Sequence, residues 1–387
     1  MNMPASATVN NESCEDCSHY TERADTGWAR REEVKKLIAI AGGKGGVGKS
    51  FLAVSMGIML ARQRYNTVIV DASFSSASVH QLLNIGVPKC SIQDYIENRI
   101  TALNELLLAC NVPNLQFIAG SPGTINTVNL GYHTKRRILR NIRKIDADYI
   151  ILDLGPGHHY NHLDFFNQAD IKIAVISPEP MAVQDGYNFL KVSLLRWLVS
   201  GFKHNRILSS ILQDTCKTMS YNRAAPIQLL SERINDLGEP FIGQWSDRIR
   251  NYRPSLLVNQ VRSQDDIREC LSLQYAAHDL LGLEFDKIDC IHYDPSIRTL
   301  HKNRRVDHFL TDNTVFAADI GRIIEQMILK TETPAPDFQL NFAAIDAFEA
   351  LQEKGEKVCS VNCESWNSCC ARNGGYPCRL LTFLNAE

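Results

Sequence analysis

Short apolar runs recur along the 387-residue chain, and between them apolar residues fall three or four positions apart. The runs at residues 37–41, 67–71, 115–119, 149–153, 171–176, 256–258 and 288–291 are strand-length and nearly continuous, as strands covered on both faces require. Helical spacing predicts helices over 51–64, 92–98, 103–110, 132–145 and 315–329. Residues 187–250 read as mostly helical, a longer insertion than a simple crossover needs. This alternation predicts an α/β fold: a doubly wound, mostly parallel sheet with helices on both faces. The same pattern divides the chain into a flexible polar leader at 1–33, a main domain at 34–331, and a linker with a Cys-rich tail at 332–387.

One loop sits where such a sheet binds ligands. The first apolar run is followed by Gly43-Lys44-Gly45-Gly46-Val47-Gly48-Lys49-Ser50, which fits the phosphate-binding pattern G-x-x-x-x-G-K-[ST], and Phe51 then opens a helix. The glycines let backbone N–H groups face phosphate oxygens, and the helix N-terminus adds its positive dipole end. Lys49 is expected to neutralise the β- and γ-phosphates, and Ser50 to ligate Mg²⁺. Two further runs end in carboxylates, Asp71 and Asp153, at the strand ends where ligands of open sheets lie. All three elements are expected to converge on one phosphate.

Composition narrows the function. A formal net charge of −2 supplies no basic field for nucleic acid. No apolar run reaches membrane-spanning length, and the first residues lack the apolar stretch of a signal peptide. The 12 cysteines are not spread as a disulfide framework. Cys14 and Cys17 form a C-x-x-C pair, and Cys359, Cys363, Cys369, Cys370 and Cys378 cluster in the tail. A reducing cytoplasmic setting is expected, in which such clusters hold metal more often than disulfides.

The loop resembles the deviant Walker A motif of the MinD/ParA family, in its MinD/FlhG-like branch, through Lys44 just after the first glycine. The resemblance extends from about residue 36 to 329. It implies that ATP and Mg²⁺ bind, and that Lys44 reaches across an ATP-sandwiched homodimer to the partner's phosphates. A regulatory protein partner would read the dimer. It also implies that Asp153, in Asp153-Leu154-Gly155-Pro156-Gly157, is the Walker B carboxylate that holds Mg²⁺ through water, and that Asn259 contacts adenine. Lys44, Lys49, Asp71 and Asp153 would be the catalytic set. The nucleotide would be held by Gly43, Gly45, Gly46, Val47, Gly48, Lys49, Ser50, Phe51 and Asn259.

The sequence departs from the family after the second strand. The family has Asp-x-Asp there; this chain has Asp71-Ala72-Ser73. A serine can hydrogen-bond a water but cannot draw off its proton, and losing such a group costs ~10²–10⁴-fold in rate. ATP is therefore expected to bind well and be hydrolysed to ADP and phosphate weakly or not at all. The basic helix, with Arg136, Arg140 and Lys144 on one face, has no interleaved aromatics and reads as a solvated face. The chain's last apolar residues, 380–384, carry one neighbouring basic residue, so membrane contact is expected to be weak or indirect.

The tail thiolates suit Zn²⁺ or an iron–sulfur cluster, although their spacing is no standard ribbon. Two functions stay open. One is a positional or regulatory switch that dimerises around Mg–ATP. The other is an Mrp-like scaffold that carries a metal or iron–sulfur cluster on the terminal cysteines.

Overall fold

The alternation along β1 (Lys36–Ala41) shows why its sequence is apolar throughout. Leu37, Ala39 and Ala41 enter one hydrophobic layer, whereas Ile38 and Ile40 enter another on the opposite face. In the computed structural model, residues 36–73, 79–121, 130–218, 226–295, 297, 306, 310 and 314–330 are described. The leader with Cys14 and Cys17, residues 74–78, and the tail with Cys359, Cys363, Cys369, Cys370 and Cys378 lie outside the described residues.

Seven more strands follow: β2 (Thr67–Ala72), β3 (Leu108–Ala109), β4 (Leu115–Ile118), β5 (Tyr149–Leu154), β6 (Ile171–Ile176), β7 (Ser255–Val261) and β8 (Ile288–His292). They form an 8-stranded sheet in the order β3-β4-β2-β5-β1-β6-β7-β8. Every pairing is parallel except β3 with β4. The order reverses direction about β1, so the crevice beyond the ends of β1, β2 and β5 is where a ligand is expected.

Helices cover both faces. On one lie α1 (Lys49–Arg62) and α11 (Val315–Ile323), whose Phe51 and Phe316 rings meet at 5.1 Å. On the other lie α4 (Tyr132–Ile142), α5 (Tyr160–Gln168), α6 (Pro180–Gly201) and α10 (Gln264–Leu281), with Phe166 of α5 edge-on to Phe189 of α6. A π-helical segment, Ile324–Leu329, extends α11. Short helices α2 (Val79–Leu82) and α3 (Ile92–Ile96) line the edge near β4. The insertion is helical: α7 (Arg206–Thr218), α8 (Pro226–Asn235) and α9 (Phe241–Arg250) follow α6 before β7. It joins the hydrophobic layer of the α6 face, where Phe202 stacks on Trp245 with centroids 6.0 Å apart.

One expected helix is different. Residues 103–110 form a 3₁₀ turn, Leu103–Leu106, and then β3, which pairs antiparallel with β4. The apolar run there is too short to fix a period, and the open edge of β4 supplied backbone partners that local spacing could not reveal. Part of the basic segment at α4 is occupied within the chain. Lys135 pairs with Asp164, Arg137 bonds the Tyr95 and Ile96 carbonyls, and Arg143 grips both oxygens of Asp170.

Candidate nucleotide site

The loop between β1 and α1 is shaped by its neighbours as well as by its glycines. Gly48 lies at φ +94°, in the left-handed region, and a Cβ there would stand 2.4 Å from Asn259 Nδ2. Only glycine fits that position. Asn259 comes from the end of β7 and is buried. Its Nδ2 donates to the Val47 carbonyl at 2.8 Å, and its Oδ1 accepts from the Gln260 N–H. The residue assigned to the base by resemblance is thus also a brace for the phosphate loop.

Lys49 is buried at the start of α1, and its Nζ donates to the Lys44 carbonyl at 2.8 Å, curling the loop around its own ammonium. Burial draws the Lys49 ammonium down to about 8, with the Asp153 charge acting the other way, so at neutral pH the ammonium keeps its charge. Asp153 ends β5 and is 1% exposed. Burial raises its pKa to about 6, against the Ser50 hydrogen bond and the Lys49 charge. Its Oδ1 is buried with no partner among the described residues. A hydroxyl and an unmatched carboxylate oxygen meeting at the phosphate end are hard donors of the kind Mg²⁺ takes. The pair fits the ion: Ser50 and Asp153 would hold it, and it would neutralise charge on the phosphate oxygens.

Asp71 pairs in register with Asp153 across β2 and β5, so both carboxylates sit on one face at the same level. Asp71 is fully buried and accepts the Ser73 N–H at 3.1 Å and the Val79 N–H at 3.4 Å. It thereby shapes the turn out of β2. Ser73, in the position of the family's second carboxylate, is buried beside the Asp153 loop. Lys44 lies at the rim, partly exposed, with its Nζ 2.5 Å from Glu179 Oε2.

Two nearby residues were not singled out from the sequence. Glu179 precedes Pro180 at the N-terminus of α6, where its side chain makes no cap bond and instead turns to Lys44. His162, on the first turn of α5, is buried against the loop that follows Asp153. The run His158-His159-x-x-His162 directly after Gly157 was the available signal. Among the described residues no group of three or more His, Cys, Asp or Glu is placed to hold a metal ion. No described helix is long and apolar enough to cross a membrane.

Comparison with known proteins agrees with this geometry. The ParA family model, described as "NUBPL iron-transfer P-loop NTPase", matches residues 33–192, which contain the phosphate loop, Asp71, Asp153 and His162. The antiactivator FleN of Pseudomonas aeruginosa is 28% identical over 210 residues, covering 54% of this chain and 72% of FleN. An iron–sulfur cluster carrier protein of Rickettsia prowazekii is 32% identical over 203 residues, covering 51% of this chain and 61% of the carrier. Among solved structures, apo McdA of Cyanothece superposes with a TM-score of 0.50 at 12% identity, over 75% of this chain and 100% of McdA, a likeness of fold. The family match takes in the phosphate loop, Asp71, Asp153 and His162 but not Asn259, and over residues 33–192 the chain is similar to the ParA family of P-loop NTPases.

Proposed function

We infer that this protein is a nucleotide-operated switch: it binds Mg–ATP, dimerises around it, and hydrolyses it slowly. The reading is carried by the two lysines of one loop. Lys49 is buried and points its ammonium inward, whereas Lys44 reaches the rim, where a second subunit's triphosphate could claim it. A cation supplied from outside the pocket makes association depend on the γ-phosphate. Ser73 in place of a carboxylate supports a long-lived ATP state. The main domain, residues 34–331, would carry the switch, with the 187–250 insertion and the 332–387 tail available to a regulatory protein partner; the name of the FleN relative, an antiactivator, fits an output of that kind. Calorimetry and sedimentation of the full chain with and without Mg–ATP test the reading. Lys49→Ala is expected to abolish binding heat, and Lys44→Ala to keep the heat but lose the dimer. A monomer at saturating Mg–ATP overturns it.

A second reading is favoured by the iron–sulfur carrier relatives and by the family model's iron-transfer description. The cargo would sit on the tail cysteines, Cys359 to Cys378, with Cys14 and Cys17 available to join them. Anaerobic purification followed by iron, sulfide and zinc analysis separates the two. A labile iron–sulfur chromophore supports the carrier, and tightly held zinc or no metal supports the switch.

A further inference from the structure

The turn after β5 brings together two residues that the family likeness does not explain. A Cβ on Gly155 would stand 2.8 Å from His162 Cε1, 3.0 Å from His162 Nε2 and 3.2 Å from Ser73 Oγ. Both polar side chains therefore crowd one point on the loop that follows Asp153, from opposite sources: Ser73 from β2 and His162 from α5. His162 is 4% exposed. Its ring donates to the Pro156 carbonyl, and Nδ1 is buried without a hydrogen-bond partner among the described residues, so the bond to Pro156 belongs to Nε2–H. The tautomer is thereby fixed, and Nδ1 is left as a bare acceptor. Buried histidine nitrogens are as a rule matched, so an unmatched one beside the loop that follows Asp153 asks for a donor.

We propose that His162 is the water-orienting residue of this site, with Nδ1 offering the attacking water the acceptor that Ser73 cannot. The proposal rests on the Mg–ATP reading above. In the step, the water oxygen forms a bond to the γ-phosphorus while the bond from that phosphorus to the β–γ bridging oxygen breaks. ADP leaves with the electron pair, and the water's proton ends on the released phosphate. Transfer of this kind runs through a loose transition state, in which placing the water matters more than deprotonating it. A weakly basic acceptor is enough. Burial, then the charges of His159 and Lys49, hold the ring neutral down to a pKa of about 4, so the acceptor is present throughout the physiological range. A neutral ring in place of a carboxylate predicts turnover that is slow rather than absent.

Single-turnover hydrolysis and Mg–ATP calorimetry on the full chain test this. His162→Ala is expected to slow hydrolysis ~10²-fold while the binding heat is unchanged. His162→Asn, whose side-chain carbonyl can stand where Nδ1 stood, is expected to retain a rate within ~10-fold of the unaltered chain. Ser73→Asp is expected to raise the rate, and in that background His162→Ala is expected to change it by less than about two-fold, because the carboxylate then places the water. Hydrolysis by His162→Ala at the unaltered rate overturns the proposal, as does an equal loss in the Ser73→Asp background. So does a chain that binds Mg–ATP and never turns it over, which leaves the switch reading standing. A chain that gives no binding heat sinks both.

Discussion

Lys44 Nζ lies 2.5 Å from Glu179 Oε2, so in a single subunit the lysine expected to act across the dimer is tied to its own chain. The pair is exposed, which makes it a weak tether rather than a lock. The Lys44 hydrogen bond and charge hold the Glu179 carboxyl below its usual range, so the contact is lost only in acid, as pH falls through that depressed value. Glu179→Gln is expected to leave Lys44 free for a second subunit. Sedimentation at graded Mg–ATP should show the dimer at up to about five-fold lower nucleotide concentration. A midpoint shifted upward would contradict the tether.

Gly48 and Asn259 meet closely in the phosphate loop. Gly48→Ala places a Cβ 2.4 Å from Asn259 Nδ2 at a φ of +94°. The backbone penalty alone is about 1–2 kcal/mol. Urea unfolding should report at least that loss, and calorimetry should show Mg–ATP affinity lowered at least ten-fold, on the order of 1.4 kcal/mol.

Asn259→Ala separates bracing from base recognition. Removing the donor to the Val47 carbonyl is expected to cost about 1–2 kcal/mol of stability. If Asn259 also reads adenine, competition binding should show the preference for ATP over GTP reduced. Equal preference before and after the change would leave Asn259 as a brace alone.

Asp289 on β8 predicts a pH dependence away from the site. It is buried, its Oδ1 accepts from Arg322 Nη1 at 2.5 Å, and its Oδ2 has no partner among the described residues. Burial raises its pKa to about 6 even though the Arg322 charge acts against it. The folded state therefore holds this proton more tightly than the unfolded chain does. Asp289's contribution favours folding at low pH and is lost as pH rises through about 6. Denaturant titrations of the unaltered chain and Asp289→Asn should diverge between pH 4 and 6 by about 3 kcal/mol at most, and run parallel above pH 7. A constant difference across that range would show that Asp289 does not titrate there.

The strands and the phosphate loop were legible because their signals are local. A parallel strand buried on both faces must be apolar at successive positions, as in β1, β2, β5 and β6, and a phosphate cradle needs its glycines, lysine and serine within eight residues. The serine at position 73 was equally plain, because a missing carboxylate shows as a residue type. What the sequence could not give was who stands opposite whom. The edge strand β3 exists because β4 had an open side. Glu179 meets Lys44 across 135 positions of chain, and Asn259 reaches Val47 across 212. His162 and Ser73 approach the same turn at Gly155 only because α5 and the end of β2 pack there. Residue types and their spacing thus determined a nucleotide-binding sheet. Only the folding of distant segments into contact decided which side chains brace the loop, which one restrains Lys44, and which histidine packs with Ser73 at the turn after β5, because hydrogen bonds and burial act between neighbours in space rather than in sequence.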